Sequence, residues 1–205
     1  GLPRRVSIST GADPPLRCVM KFGLAGVLLW AGIALADEQV TVCFNYGCVA
    51  RQEVTFSEAR LAELAGRMKL ADTPVAERAI LSRVVGQLYL WAGEQSPISA
   101  DRPGDFLDDG AHGMMDCIDH AETTTGFLRM MEGRGMLRFH GVEPIRRRVR
   151  WLVTQHFSAV IRDVGSEAPE AGARFVVDSW FGEHGDPAVV LPLEEWLDGE
   201  GPNVS

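Results

Sequence analysis

The chain has 205 residues, of which 46% are apolar and 23% are charged, a composition that predicts a folded domain with its own core. Its 28 acidic and 20 basic residues give a net charge of −8. Residues 1–36 hold four basic residues and one acidic residue, so residues 37–205 carry 16 basic and 27 acidic residues, a net charge of −11. A field of this sign repels polyanions, which argues against a nucleic acid partner or an anionic membrane surface.

Residues 20–36 are typical of a secretory signal peptide. A Met-Lys start precedes an apolar run from Phe22 to Leu35, and the run ends in an Ala-Leu-Ala cleavage site. This run is shorter than the roughly 20 residues that span a membrane. We therefore expect an exported protein, periplasmic or secreted, with one domain at 37–205 and no stable membrane insertion after cleavage. We interpret residues 1–19 as an upstream extension that is not native or is disordered.

The first strand is predicted at residues 39–44, where apolar and polar residues alternate. It leads into CFNYGC, in which Cys43 and Cys48 flank residues with turn chemistry. In an oxidising compartment these two cysteines are expected to form a disulfide. Cys117 is then the unpaired thiol of the mature chain, which indicates either a reactive thiol or a buried inert cysteine.

Two helices are predicted next, followed by a long loop. Ser57 caps a helix that runs to about Leu70, and Thr73 with Pro74 opens a second helix that ends near Gly93. Residues 94–113 are rich in Pro, Gly and Asp and have no periodicity, which predicts a loop that contacts substrate or makes a surface excursion.

A third helix is predicted at residues 117–132, capped by Asp116, and strands follow it. Four short runs have strand character, at residues 136–142, 149–153, 156–164 and 173–180. The segment LEEWL at 193–197 favours a short helix. Helices followed by strands predict an α+β fold with a mostly antiparallel sheet. The basic run at 146–150 is interpreted as the solvated edge of a strand, with a local anion site as the alternative.

Cys117, His156 and Asp178 are the candidate catalytic residues. A thiol nucleophile needs a base that takes its proton and a group that orients the base, and a helix start followed by two strands can supply the three in this order. The N–H groups at the helix start should lower the thiol pKa below its ordinary value and stabilise an oxyanion. Asp116 opposes this effect unless capping occupies it. We expect the Cys117 sulfur within about 4 Å of a His156 ring nitrogen, and Asp178 at the other nitrogen.

Other residues offer weaker chemistry. His120 is interpreted as a packed helix residue or a hydrogen-bonding neighbour of the site, and Gln95 or Trp91 as a possible second oxyanion donor. A metal site formed by Cys117, His120 and His112 lacks the spacing of known zinc motifs, so no metal and no organic cofactor is expected.

Three stretches resemble the transglutaminase-like superfamily, whose core is papain-like. The nucleophile helix and the following strand of this superfamily are similar to residues 117–121, 127–129 and 135–139. Its histidine strand is similar to residues 156–160, and its aspartate strand to residues 175–180. Ser158 and Ser179 depart from the tryptophan and proline common there.

This resemblance implies an exported bacterial member in which a nucleophile helix packs on the sheet and Cys117, His156 and Asp178 form the triad. The implied activity is that of a cysteine peptidase, amidase or acyltransferase, acting on a peptide or protein amide. The alternative is a non-catalytic binding or structural protein that retains this fold.

Overall fold

The computed structural model describes Gly1 and residues 36–104, 112–150, 154–165 and 172–202. The chain divides into residues 1–34 and a compact unit over 35–205. The predicted upstream extension, apart from Gly1, and the predicted signal peptide, apart from Ala36, lie outside the described residues.

The described part combines helices with antiparallel sheet, which confirms the α+β prediction. Its helices are α1 (Glu58–Met68), α2 (Pro74–Gly93), α3 (Cys117–Gly133) and α4 (Leu193–Asp198). Its strands are β1 (Glu38–Phe44), β2 (Ala50–Phe56), β3 (His140–Arg150), β4 (Thr154–Asp163), β5 (Arg174–Asp178) and β6 (Val189–Pro192). No helix in these residues is long and apolar enough to cross a membrane.

The predicted helix starts are confirmed by their caps. Ser57 accepts a hydrogen bond from the Arg60 N–H at the start of α1, and Thr73 accepts one from the Ala76 N–H at the start of α2. These bonds satisfy N–H groups that have no partner within the helix. A short 3₁₀ turn, Pro97–Ala100, lies in the predicted loop.

β1 and β2 form an antiparallel hairpin. Only β1 was predicted from the sequence. The register runs from Glu38 opposite Phe56 to Phe44 opposite Ala50. Val54 and Phe56 are fully buried, while the residues between and before them are exposed or half-buried. This alternation gives β2 one face toward the core, where the hairpin packs on α3.

The second sheet has the order β3-β4-β5-β6, and every neighbouring pair is antiparallel. The runs at 136–142 and 149–153 were predicted as separate strands divided by Pro144. Instead, β3 continues through Pro144, because a register shift between Glu143 and Arg146 accommodates the missing N–H. Residues 151–153 lie outside the described residues, and β6 was not predicted.

The two faces of this sheet pack against different helices. Ala159, Ile161 and Val177 join the main core, which also contains Phe127 and Leu128 of α3. The alternate positions, Val160 and Val176, pack with Leu193 and Trp196 of α4. A residue's position along β4 or β5 therefore decides which helix it faces.

Two glycines of α2 allow the chain at 184–186 to lie directly on the helix. A Cβ at Gly86 would lie 2.6 Å from the carbonyl oxygens of Gly185 and Asp186, and one at Gly93 would lie 2.4 Å from Nε2 of His184. The Ser82 hydroxyl donates to the Ala188 carbonyl at 2.6 Å on the same side of α2.

Glu77 ties α2 to the start of β3. Its carboxylate, fully buried, accepts hydrogen bonds from the N–H groups of Arg138 and Phe139 at 2.7 and 3.1 Å, and contacts His140 Nδ1 at 2.8 Å. The other ring nitrogen of His140 contacts Asp163 at 2.7 Å. Burial raises the pKa of Glu77, but the His140 contact and the two N–H groups outweigh it and hold the pKa below 4.5.

We expect Glu77→Gln to lower the free energy of unfolding by about 2–4 kcal/mol, because buried hydrogen bonds to a charged acceptor are lost. A lowered pKa stabilises the fold above about pH 4.5, and that contribution disappears as the pH falls through the folded-state value. Urea unfolding between pH 3 and pH 7 should therefore show a weaker acid dependence in the variant. Glu63→Gln, which removes an exposed carboxylate paired with Arg67, is the matched control and should change stability by under about 0.5 kcal/mol.

Candidate active site

Cys117 is the first residue of α3, and two carboxylates shape this helix start. Asp116 Oδ1 accepts hydrogen bonds from the N–H groups of Ile118 and Asp119 at 3.0 and 2.9 Å. Asp119 Oδ2 accepts one from the Asp116 N–H at 3.1 Å, which completes a capping box. The predicted role of Asp116 as helix cap is confirmed.

The predicted disulfide between Cys43 and Cys48 is also confirmed, with Cα atoms 4.7 Å apart. Residues 45–48 are all left-handed, with φ between 57° and 65°, although only Gly47 is a glycine. Their N–H groups converge on the start of α3: those of Tyr46 and Cys48 donate to Asp119 at 2.8 and 2.6 Å, and that of Gly47 donates to Asp116 at 2.9 Å. The disulfide turn thus binds the carboxylates on either side of Cys117.

His156 and Asp178 are joined directly. His156 Nε2 lies 2.7 Å from Asp178 Oδ2, and the indole N–H of Trp196 donates to the same oxygen at 3.1 Å. Both side chains are buried, with relative exposures of 4% and 2%. Because an ionised carboxylate can only accept a hydrogen bond, Nε2 carries the hydrogen, and the Nδ1 of a neutral ring is an acceptor.

Aromatic rings enclose both this pair and the thiol. The ring of His156 lies 4.8 Å from that of Trp180 and 5.4 Å from that of Phe181, measured between centroids. Trp180 and Phe181 also pack against Cys117, which is 7% exposed. The thiol and the imidazole therefore share one apolar environment.

The thiol itself is not hydrogen-bonded to the imidazole. Cys117 Sγ lies 4.0 Å from the carbonyl oxygen of Gln155, the residue before His156. His156 Nδ1 is buried without a hydrogen-bond partner among the described residues. Strand alternation places His156 on the α4 face of β4 with Val160, whereas Cys117 reaches the strand backbone from α3. The structure joins two of the three predicted residues and leaves the thiol beside them.

The Cys117 pKa is raised from 9.0 to about 11, opposite to the sequence-based expectation. Burial is the main cause, and the negative charges of Asp116 and Asp178 add to it. The N–H of Phe157 and that of Cys117 itself lower the pKa, but not enough to compensate. Capping does not remove the charge of Asp116, and the helix start alone does not make a thiolate here.

Another His–Asp pair lies beside the site, on the α3 side, and was not predicted. His120 Nε2 contacts Asp101 Oδ2 at 2.8 Å, and His120 Nδ1 contacts Ser179 Oγ at 2.8 Å. The hydroxyls of Tyr89 and Thr124 each lie 3.0 Å from Ser179 Oγ, so this hydroxyl has three partners. The network fixes Ser179, which stands between Asp178 and Trp180. It is consistent with a hydrogen-bonding role for His120 beside the site.

The remaining candidates have other partners. The Gln95 amide donates to the carbonyls of Thr55 and Trp91, so it is used in holding β2 to the end of α2. His112 packs edge-on against Phe44. Within the described residues, the single group with metal-ligand spacing is Cys43, Cys48 and Asp119, in which both sulfurs are already in the disulfide.

No protein family, no curated protein and no solved structure matches this chain at a significant level.

We expect iodoacetamide to alkylate Cys117 in the oxidised, folded protein roughly 100-fold more slowly than free cysteine at pH 7.5, because a pKa near 11 leaves little thiolate. The rate should keep rising with pH through 10. Peptide mass spectrometry after timed quenching measures it at Cys117 alone. A rate equal to that of free cysteine, with a plateau below pH 8, would contradict the raised pKa.

Proposed function

We propose that this protein is an exported thiol enzyme that cleaves or transfers an amide or peptide bond, with Cys117, His156 and Asp178 as its catalytic residues. The observation that carries the proposal is His156 Nδ1, which has no hydrogen-bond partner in the part of the chain that the structure describes. This acceptor is buried, its ring is oriented by Asp178 through Nε2, and it lies under the same aromatic rings as the thiol. A buried imidazole nitrogen without a partner is costly in a purely structural site.

The raised thiol pKa sets the order of the steps. A neutral thiol must lose its proton as it attacks, so His156 Nδ1 takes the proton while the Cys117 sulfur bonds to the carbonyl carbon. Asp178 stabilises the resulting imidazolium. The imidazolium then gives its proton to the leaving amine, the C–N bond breaks, and a thioester remains on Cys117. Water or an amine resolves the thioester.

One rearrangement is required before the first step. The sulfur contacts the backbone at Gln155, so rotation of the Cys117 side chain must bring it toward Nδ1. Catalytic hydrogen bonds are often long in a structure without substrate and shorten when substrate binds.

The proposal includes a transglutaminase-like fold and export. The fold is supported by the chain order of the elements: a cysteine at a helix start, then antiparallel strands that carry the histidine and the aspartate. Export is supported by the signal-like segment at 20–36 and by the Cys43–Cys48 disulfide, since such bonds persist in oxidising compartments.

The experiment that tests the activity uses a mixed peptide library with hydroxylamine as acyl acceptor. Hydroxamate or free carboxylate products, identified by mass spectrometry, are expected with the wild-type protein, and none with Cys117→Ala or His156→Ala. Product formation that survives Cys117→Ala would place the activity elsewhere.

Asp178→Asn should reduce kcat by about 10²–10⁴-fold while leaving the fold intact, because a neutral amide cannot stabilise the imidazolium that forms when His156 takes the thiol proton. Asp198→Asn removes the same charge from an exposed position of α4 and is the matched control. Steady-state kinetics and circular dichroism measure the two effects. An unchanged kcat in the Asp178 variant would exclude the His156–Asp178 pair from the mechanism.

The buried, protonated thiol favours a second candidate, a non-catalytic binding protein that retains the fold. In that case the library yields no product with any form of the protein, and Cys117→Ala has no effect beyond a small change in stability.

A further inference from the structure

The turn between Cys43 and Cys48 is held in an unfavourable backbone conformation. Asn45, Tyr46 and Cys48 are non-glycine residues with φ of 65°, 64° and 57°. Left-handed conformations cost energy for residues with a Cβ, and they persist only where surrounding contacts impose them. Here the disulfide closes the turn, and the carboxylates at the start of α3 bind its N–H groups.

This turn holds the chain on both sides of Cys117. Before the cysteine, the Asn45 N–H donates to the Met114 carbonyl at 2.8 Å, and Asn45 Oδ1 accepts from the Gly113 N–H at 2.9 Å. After it, Asp119 accepts from Tyr46 and Cys48. The buried position of the thiol thus depends on the shape of the turn.

The disulfide can be reached from solvent and is placed for reduction. Cys48 is partly exposed, whereas Cys43 is 5% exposed, and both cysteines line a groove of about 700 Å³ between β1 and α3, through which a reductant approaches Cys43. The Arg51 guanidinium Nε–H donates to Cys48 Sγ at 3.0 Å. A cation beside a sulfur stabilises the thiolate and makes that sulfur the better leaving group when a reductant attacks its partner.

We propose that Cys43–Cys48 is a redox site, opened by a dithiol reductant, which keeps Cys117 buried when oxidised and releases it when reduced. A thiolate of the reductant attacks Cys43, and Cys48 leaves as the thiolate beside Arg51. The second thiol of the reductant then displaces Cys43 and forms the reductant's own disulfide. Two electrons and two protons pass to the protein. The inference does not rest on the proposed activity, because it concerns the exposure of the thiol whether or not catalysis follows.

Release should appear first as thiol reactivity. Without the cross-link, the turn can leave the left-handed region, and Asp116, Asp119 and Gly113 lose their turn partners. Cys117 then gains solvent, and its pKa should fall toward 9.0. At pH 8 this change increases the thiolate fraction by up to about 100-fold, so we expect alkylation to accelerate at least tenfold.

The experiment compares the full chain with and without dithiothreitol, and with the double variant Cys43→Ser/Cys48→Ser. Iodoacetamide rates are read at Cys117 by peptide mass spectrometry. Hydrogen exchange is followed over residues 44–49 and 113–120, with α2 as the internal reference. Reduction or the double variant should raise the alkylation rate at least tenfold and speed exchange in the two segments, with α2 unchanged. Arg51→Gln should slow the reduction by dithiothreitol several-fold, because the Cys48 thiolate loses its cation.

Three results would overturn the inference. The first is a Cys117 rate within twofold of the oxidised value after complete reduction of a folded protein. The second is faster exchange throughout α2, which would make the disulfide a general support of the fold. The third is a disulfide that resists dithiothreitol until the protein is unfolded. Each can be seen without any amide substrate, so failure of the proposed enzyme activity would be detected separately.

Discussion

Two carboxylates at the start of α3 accept six backbone N–H groups, and the rest of the site depends on this arrangement. Asp116 and Asp119 bind three N–H groups from the helix start itself and three from the disulfide turn. Burying an acid costs free energy, which these donors offset; even so, burial raises the pKa of Asp119 to about 7. The charge of Asp116, which caps the helix, also disfavours a thiolate at Cys117. The arrangement that positions this cysteine therefore also disfavours its thiolate form.

The segment Asp178–Trp180 is held from both sides by a histidine paired with an aspartate. On the α4 side Asp178 binds His156 and Trp196; on the α3 side Ser179 binds His120, which is held by Asp101. Consecutive residues of an extended chain point in opposite directions, so one short segment can serve both networks. Among the described residues, the ring nitrogen without a partner is in the first network and not in the second, and this difference separates a candidate base from a structural histidine.

The helices and the disulfide could be predicted because short sequence segments encode them. The pKa of the Cys117 thiol could not, because it depends on burial in the tertiary structure. Caps at Ser57, Thr73 and Asp116 are encoded within a few residues, as is the turn between the two cysteines. The thiol pKa is raised mainly by burial under Trp180 and Phe181, and further by the charges of Asp116 and Asp178. Of these, only Asp116 lies next to Cys117 in the sequence, whereas the tertiary fold places the others. β2 was not predicted because two of its three exposed positions, Arg51 and Glu53, are charged. The bulge that admits Pro144 into β3 has no local signal. The Asp101–His120 pair spans an aperiodic loop; the polar face of α3, with His120 and Thr124 four residues apart, was its one available clue.

The glycines of α2 allow a segment that follows the site residues in the chain to pack directly on this helix. A glycine inside a helix costs about 1 kcal/mol relative to alanine, so Gly86 weakens α2 as an isolated element. In return the helix offers a surface without side chains, on which residues 184–186 lie in direct contact. α2 and the segment after Phe181 consequently support each other: the cost of the glycine is offset when a part of the chain about 100 residues later packs on the helix. Gly86 should therefore be among the residues of α2 that tolerate substitution least, because any side chain there would meet the backbone of residues 185 and 186. This holds although Gly86 is distant from Cys117 in the sequence.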